Sequence, residues 1–145
     1  MKSVKIYTDG ACSGNPGAGG WAAVLLYGRH RKELSGFQAE TTNNRMELLA
    51  VIKGLEALKH PCLAEVYSDS AYVVNAVENG WIENWRENGW KTAKKEPVKN
   101  TDLWERLIKL FNCHQVKFVK VQGHAENAEN NRCDALARAA ITARA

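Results

Sequence analysis

The sequence lacks the features that mark secreted, membrane-spanning and zinc-binding proteins. Its cysteines are few and scattered, at positions 12, 62, 113 and 133, and no C-x-x-C pair occurs, which argues against a zinc site and a disulfide framework. No stretch approaches the unbroken apolar length of a membrane span, and the N-terminus has no apolar segment with a small-residue cleavage site. We therefore expect a cytoplasmic protein with reduced thiols and no membrane partner.

Length and net charge restrict the possibilities only loosely. A chain of 145 residues can bury a core of its own, and the absence of repeats, low-complexity tracts and linkers predicts one domain over residues 1–145. We expect a monomer. The formal net charge of +4 is compatible with a polyanionic partner, although the charge alone does not identify one.

The order of apolar patterns predicts the fold class. Strands are indicated at residues 3–9, 21–27 and about 32–37, joined by glycine-containing turns that suit an antiparallel meander. A helical period then follows the segment TTNN, with Leu48, Val51, Ile52, Leu55 and Leu58 on one face. Further strands are predicted at 64–69 and 115–121, and helices at 71–77, 100–112 and 130–145, whereas 81–99 looks irregular. This order predicts an α/β fold with a mixed sheet flanked by helices.

Acidic residues stand at positions where a folded core would not be expected to place them. Asp9 and Asp69 each end a predicted strand, and Glu47 lies in the first turn of its predicted helix. Asp134 heads the apolar stripe of the last helix, so all of these acids can converge at one end of the sheet. Carboxylates gathered in this way repel one another and lose solvation, so they persist where cations neutralise them. The pattern therefore favours Mg²⁺, with two ions acting together in phosphoryl transfer.

Each acid also has a purely structural interpretation. Asp9 with Gly10 is an ordinary turn signal, and Glu47 would interact favourably with the N-terminus of its helix. Asp69 would cap the helix that follows it, and Asp134 would be a first-turn charge. Taken singly, these alternatives are as good as the metal hypothesis.

Longer blocks of sequence favour the functional interpretation. The blocks are YTDGACSGNPGAGGWA, TTNNRMEL, YSDSAYV, GWKTAKKEPVKNTDLW and GHAENAENNRCDALARAA. In their order and spacing, from about residue 4 to residue 140, they resemble bacterial ribonuclease H of type 1. The resemblance implies a ribonuclease H-like fold, a five-stranded mixed sheet with three antiparallel strands followed by parallel ones. It also implies an endonuclease that cuts the RNA strand of RNA–DNA hybrids with Mg²⁺ or Mn²⁺, leaving 3′-hydroxyl and 5′-phosphate ends.

The resemblance assigns roles to individual residues. The positions that match the metal-binding and catalytic carboxylates of the family are Asp9, Glu47, Asp69 and Asp134. His124, in the loop QGHAEN, matches a histidine thought to help move protons or release product; its alternative is a solvated loop histidine. Five positions match family residues that contact the RNA in the minor groove: Gly10 and Cys12 through their backbones, and Asn15, Asn43 and Asn44 through their side chains. The alternative for TTNN, helix capping, can hold at the same time.

The DNA strand is expected to meet a separate set of residues. Thr42 and Asn100 match positions that hold a DNA phosphate, with Arg45 nearby. The segment at about 81–99 resembles the basic protrusion of the family, in which Trp81, Trp85 and Lys99 would contact the hybrid backbone. Alternatively, its tryptophans anchor the segment and its lysines form a solvated face. We expect Trp81 to face substrate and Trp90 and Trp104 to pack.

Some positions depart from the best-known bacterial pattern. The departures are Glu40 near the DNA-phosphate site, Ala71 where a glutamine commonly contacts substrate, and Glu126 and Asn127 in the histidine loop. They leave two rivals to compare: a hybrid-binding module without catalysis, and a DNA nuclease or transposase-like relative on the same fold. Hybrid cleavage that depends on metal separates the first rival from the enzyme, and substrate selectivity separates the second.

Overall fold

The described part of the chain forms five strands and five helices, with three strands in succession before the first helix. The structure is a computed structural model that describes residues 1–121 and 127–144. The strands are β1 (Lys2–Ser13), β2 (Gly17–Tyr27), β3 (His30–Thr41), β4 (Cys62–Ser68) and β5 (Gln115–Lys120). The helices are α1 (Asn43–Glu56), α2 (Ala71–Glu78), α3 (Trp81–Glu87), α4 (Thr101–Cys113) and α5 (Ala128–Arg144). Within the described residues, no helix is long and apolar enough to cross a bilayer.

The strands form one sheet in the order β3-β2-β1-β4-β5. The first three strands pair antiparallel as a meander, whereas β4 pairs parallel with β1 and β5 pairs parallel with β4. The prediction of a mixed sheet, antiparallel first and parallel afterwards, is confirmed. Helix α1 lies in the crossover from β3 to β4, helices α2 to α4 lie between β4 and β5, and α5 follows β5.

Alternation along the strands produces a core on each face of the sheet. On β2, Ala23 and Leu25 belong to a large core shared with α1, α2 and α4, while Ala22 and Val24 belong to a smaller core under α5. This is the period of two that a sheet covered on both faces requires. In the smaller core α5 approaches β2 closely, because a Cβ on Gly20 would overlap the carbonyl oxygen of Ala137.

Two predictions about local structure were wrong. The first strand does not end at Asp9: β1 runs on to Ser13, pairing with β2, and the turn lies at Gly14 and the cis Asn15–Pro16 bond. The glycines in this region suggested a turn because glycine has a low strand propensity. In the structure they instead allow neighbouring elements to lie close to the strand, where a Cβ would overlap them. The segment at 81–99 is not irregular throughout, since α3 occupies Trp81–Glu87.

Candidate active site

Strand pairing places Asp9 and Asp69 side by side. The parallel pairing of β1 with β4 ends at Tyr7 and Tyr67, and each aspartate lies two residues beyond that last pair. Asp69 follows the end of β4, whereas Asp9 stays within β1 because its pairing with β2 continues. Adjacent parallel strands therefore present both carboxylates at the same edge of the sheet.

Helix α1 adds Glu47 to this pair. A Cβ on Gly10 would overlap the backbone of Met46 and Glu47, so only glycine lets α1 lie this close to β1. Glu47 is buried in the second turn of α1, past the first turn that the sequence suggested, and carboxylate oxygens of Asp9, Glu47 and Asp69 lie within 4.8 Å of one another.

The electrostatics of the three carboxylates are unfavourable without a cation. Burial, then the negative charge of Asp69, raises the pKa of Asp9 from 3.8 to about 7. Burial, followed by the charges of Asp9 and Asp69, raises the pKa of Glu47 well above its ordinary value. The Gly10 N–H donates to Asp9 Oδ1 at 2.9 Å, but Glu47 Oε1 is buried with no hydrogen-bond partner in the described part of the chain. A group of carboxylate oxygens that no positive charge of the described residues neutralises, one of them without a hydrogen bond, fits a divalent cation, which prefers oxygen ligands.

The structural alternatives for these acids do not account for their positions. Asp9 is not in the turn after β1, and Glu47 lies beyond the first turn of α1, where interaction with the helix dipole is strongest. The N-cap of α2 is Ser70, whose Oγ accepts from the Val73 N–H at 3.3 Å, so Asp69 is not needed as a cap.

Asp134 lies beside the other acids but is engaged elsewhere. It is in the second turn of α5, not the first, and its negative charge contributes to the raised pKa of Asp9. Its Oδ1 accepts a hydrogen bond from Arg138 Nε at 3.2 Å, and it is not among the carboxylates within 4.8 Å of one another. His124 and Glu126 lie outside the described residues.

Contacts on both sides of Asp134 fix α5 against the sheet. The buried Cys133 Sγ donates to the carbonyl of Tyr7 at 3.2 Å, and burial raises the pKa of this thiol to about 12. At the exposed side, Arg132 binds Glu33 of β3 at 2.8 and 3.1 Å. Arg31 joins Glu33 to Glu129, so that α5 is connected to β3 by four alternating charges. The sequence carries no local signal for the contacts between β3 and α5, which join residues 98 and 99 positions apart.

The residues expected to contact the hybrid form two groups. Asn15 Oδ1 accepts from the Asn43 N–H at 3.1 Å, which ties the turn after β1 to the exposed start of α1. Thr42 is the N-cap of α1 and accepts from the Arg45 N–H, so the capping interpretation of TTNN is correct for Thr42. Asn44 is exposed beside Asn43, and Cys12 is half-buried in β1.

Arg45 connects the second group. Its Nη1 donates to Asn100 Oδ1 at 3.1 Å, and its guanidinium also binds both carboxylate oxygens of Asp102. Asn100 has a left-handed backbone at the start of α4 and donates to the Tyr72 hydroxyl. Tyr72 and Asp102 were missed from the sequence, because nothing in the spacing indicates that they position Asn100 and Arg45.

The tryptophans divide as expected for packing. Trp104 is fully buried and Trp90 is half-buried against the core, whereas Trp81 is 37% exposed. Trp85 lies between Trp81 and Trp104, with ring centroids 6.3 and 5.7 Å away. Lys99 is exposed. Trp81 and Trp85 thus extend a row of mutually tilted rings from the core to the surface.

The described departures have ordinary places in the fold. Asn127 Oδ1 accepts from the Asn130 N–H at 3.0 Å and caps the start of α5. Ala71 is the first residue of α2, directly after Ser70, and Glu40 is exposed near the end of β3. None of these three residues is among the groups that shift the pKa of Asp9 or of Glu47.

Comparisons with known proteins agree on one family. The family model described as RNase H matches residues 1–142. Ribonuclease H of Symbiobacterium thermophilum is 64% identical over 143 residues, covering 99% of this chain and 97% of the relative. Ribonuclease H of Chlorobaculum parvum is 62% identical over 140 residues, covering 97% and 96%.

Solved structures give the same result. The crystal structure of LC9-RNase H1, a type 1 RNase H with the type 2 active-site motif, superposes with a TM-score of 0.88 at 28% identity, covering 100% of this chain and 74% of that one. LC11-RNase H1 in complex with RNA/DNA hybrid gives 0.71 at 26% identity, covering 97% and 98%. With the family model and these relatives matching over nearly its whole length, the chain belongs to the ribonuclease H family.

Proposed function

We propose that this protein hydrolyses the RNA strand of RNA–DNA hybrids with divalent cations, Mg²⁺ or in its place Mn²⁺, held by Asp9, Glu47, Asp69 and Asp134. The observation that carries the proposal is the cluster of the buried Asp9 and Glu47 with the half-buried Asp69, whose charges nothing else in the described structure neutralises. Membership of the family supplies the reaction, and the hybrid in the related LC11 complex supplies the substrate class.

The protein's own groups divide the work of the reaction. When bound, two divalent cations supply a water of lowered pKa and neutralise the charge that develops on the phosphate. The chain holds the carboxylates fixed through Gly10, whose N–H orients Asp9 and whose missing side chain admits Glu47. Burial keeps competing water away from both acids, which strengthens their attraction for a cation. His124 would take or give a proton during turnover.

Substrate would lie across the exposed edge of the cluster. The RNA strand would pass over Gly10, Cys12, Asn15, Asn43 and Asn44, where amides can donate to and accept from a 2′-hydroxyl. The DNA strand would meet Thr42, Arg45 and Asn100, and the segment with Trp81, Trp85 and Lys99 would follow the backbone. Arg45 is already oriented by Asp102 and Asn100, so its guanidinium needs little ordering to meet a phosphate.

We also propose that residues 1–145 act as one domain, as a monomer, in the cytoplasm. The continuous sheet and the cores on its two faces support a single unit. Light scattering coupled to gel filtration tests the monomer: a mass of about 16.1 kDa is expected, and twice that mass would contradict it.

Cleavage of matched duplexes tests the function. RNA–DNA, RNA–RNA and DNA–DNA duplexes of one sequence are incubated with Mg²⁺ or EDTA, using wild type and Asp9→Asn. We expect Mg²⁺-dependent cutting of the RNA in the hybrid alone, with 5′-phosphate products, and no cutting by Asp9→Asn. Hybrid binding without cutting would instead establish the non-catalytic binding module, and cutting of the DNA duplex would establish the nuclease alternative.

A further inference from the structure

Asp134 approaches the other carboxylates from a helix, whereas Asp9 lies on a strand of the sheet. The hydrogen bond that Asp134 Oδ1 accepts from Arg138 Nε joins two residues of α5, so it moves with the helix and cannot place it. Whether Asp134 can share a cation with Asp9 therefore depends on how α5 lies against the sheet. The contacts between α5 and the sheet thus determine where this carboxylate is presented.

Two neighbouring residues of α5 each bind the sheet. Cys133, which is fully buried, donates through Sγ to the carbonyl of Tyr7 in β1 at 3.2 Å. Arg132, on the outer side, binds both carboxylate oxygens of Glu33 in β3 at 2.8 and 3.1 Å. Successive residues of an α-helix point about 100° apart around its axis. Contacts at two such directions fix the rotation of α5, and Asp134 is the next residue.

The outer contact belongs to a network of four charges, which we call the β3–α5 clasp: Arg31, Glu33, Glu129 and Arg132. Arg31 Nη1 lies 2.7 Å from Glu33 and its Nη2 lies 2.8 Å from Glu129, so β3 holds α5 at two residues three positions apart. The four side chains are 24% to 49% exposed, where an isolated ion pair contributes little. Bidentate arginines in a connected network are the exception, so the clasp can hold the start of α5.

A small rotation of α5 would displace the Asp134 carboxylate appreciably. A side chain at the rim of a helix lies roughly 5 to 6 Å from the axis, so a rotation of about 15° moves it by roughly 1.5 Å. Mg²⁺ accepts ligands only at about 2.0 to 2.1 Å in near-octahedral geometry, so a shift of this size removes a ligand. Cys133 is small and lies near the axis, and it resists rotation less than the long Arg132 side chain does.

We infer that Glu33 and Arg132 are positioning residues for metal binding, because the β3–α5 clasp holds α5 in the rotation at which Asp134 can join Asp9 on a cation. The inference rests on the proposed function, in which Asp134 is a metal ligand. Glu33 and Arg132 act only through Asp134. Breaking the clasp should therefore keep the fold but weaken metal binding.

Mn²⁺ binding to the protein without nucleic acid, followed by calorimetry, tests the inference. Glu33→Gln and Arg132→Gln should each weaken Mn²⁺ binding by about ten-fold, at the lower end of what supporting partners of metal ligands contribute. The two variants change the net charge in opposite directions. A through-space effect of charge would therefore weaken Mn²⁺ binding in Glu33→Gln and strengthen it in Arg132→Gln, whereas loss of the clasp weakens it in both.

Two controls identify the route of the effect. Glu56→Gln breaks an ion pair with Arg106 that joins α1 to α4, in which both Glu56 oxygens accept and the side chains are 41% and 39% exposed. It makes the same change of charge and should leave Mn²⁺ affinity unchanged. In an Asp134→Asn background, Glu33→Gln should not weaken Mn²⁺ binding further, because the carboxylate that it positions is already gone.

The possible outcomes are distinct. Wild-type Mn²⁺ affinity in both clasp variants would overturn the inference, and so would opposite effects in the two variants or an equal loss in Glu56→Gln. A further loss caused by Glu33→Gln in the Asp134→Asn background would show that the clasp does not act through Asp134. If Asp134→Asn itself binds Mn²⁺ and cuts the hybrid like wild type, the proposed role of Asp134 fails together with the inference. If Asp134→Asn stops cutting but the clasp variants bind Mn²⁺ like wild type, the inference alone fails.

Discussion

Removing the charge of Asp9 while keeping its shape should stabilise the metal-free protein. Asp9→Asn preserves the oxygen that accepts the Gly10 N–H, but it removes a carboxylate from beside Glu47 and Asp69. The folded pKa of Asp9, about 7, lies above its ordinary value of 3.8. Between those values the folded state binds more protons than the unfolded state, so the free energy of unfolding falls as the pH rises through this window. Asparagine does not titrate, so the free energy of unfolding of Asp9→Asn does not fall in this way.

The size of the effect follows from the pKa difference. One pKa unit corresponds to about 1.4 kcal/mol, so the advantage of Asp9→Asn over wild type should grow from about 2 kcal/mol at about pH 5 to about 4 kcal/mol at about pH 8. A divalent cation neutralises the cluster in wild type, so adding it should stabilise wild type and narrow the gap.

Urea denaturation in EDTA across this pH range measures the effect. Glu105→Gln is the matched control, because it makes the same type of change at an exposed position on α4 and should alter stability little at any pH. If Asp9→Asn were less stable than wild type at about pH 8, or if the gap did not depend on pH, the carboxylates would not be an electrostatic burden and the cation argument would fail.

Three further predictions concern the elements that hold the acids in place. Gly10→Ala should destabilise the fold by about 1 to 3 kcal/mol in urea and weaken Mn²⁺ binding in calorimetry, because a Cβ there forces α1 and Glu47 away from β1; an unchanged Mn²⁺ affinity would contradict this. Glu33→Gln should lower Tm at neutral pH, because Arg132 and then Arg31 lower the pKa of Glu33 from 4.5 to about 2. The stabilisation that Glu33 contributes is therefore complete above pH 4.5 and is lost as the pH falls through about 2. The difference in Tm between wild type and Glu33→Gln should close over that window. Thiol labelling of the native protein followed by mass spectrometry should modify the exposed Cys113 first and leave the buried Cys133 unmodified until the chain unfolds; early labelling of Cys133 would show that α5 is not fixed to Tyr7.

Sequence patterns predicted the order of the strands and helices well. Because both faces of the sheet are buried, apolar residues must recur along each strand and helix with the period of that element. Helix α1 was visible from the spacing of Leu48, Val51 and Ile52 along one helical face, and strand β4 from the short segment AEVYSD. Boundaries failed where glycine is used for close approach and not for turning, as at Gly10 and Gly20. A single sequence cannot distinguish these uses, since the neighbour that a missing Cβ admits comes from a distant segment.

In the candidate site, too, some features were predictable from the sequence and others depended on tertiary contacts. The acids were identifiable by their positions relative to predicted strands and by the resemblance to a family. Their surroundings were not, because Arg138 bound to Asp134, Tyr72 beneath Asn100 and Asp102 beside Arg45 depend on tertiary placement and leave no local pattern. Side chains that position other side chains are the part of a site that sequence reasoning misses.

The most direct test of the central claim is the rate of RNA cleavage in a hybrid as a function of Mg²⁺ concentration, for wild type, Asp69→Asn and Glu65→Gln. Asp69 contributes to the carboxylate cluster, whereas Glu65 lies four residues earlier, within β4. We expect Asp69→Asn to stop cleavage at every Mg²⁺ concentration and Glu65→Gln to follow the wild-type curve. Wild-type cleavage by Asp69→Asn, or cleavage by wild type in EDTA, would contradict the claim that cations held by these carboxylates cut the RNA.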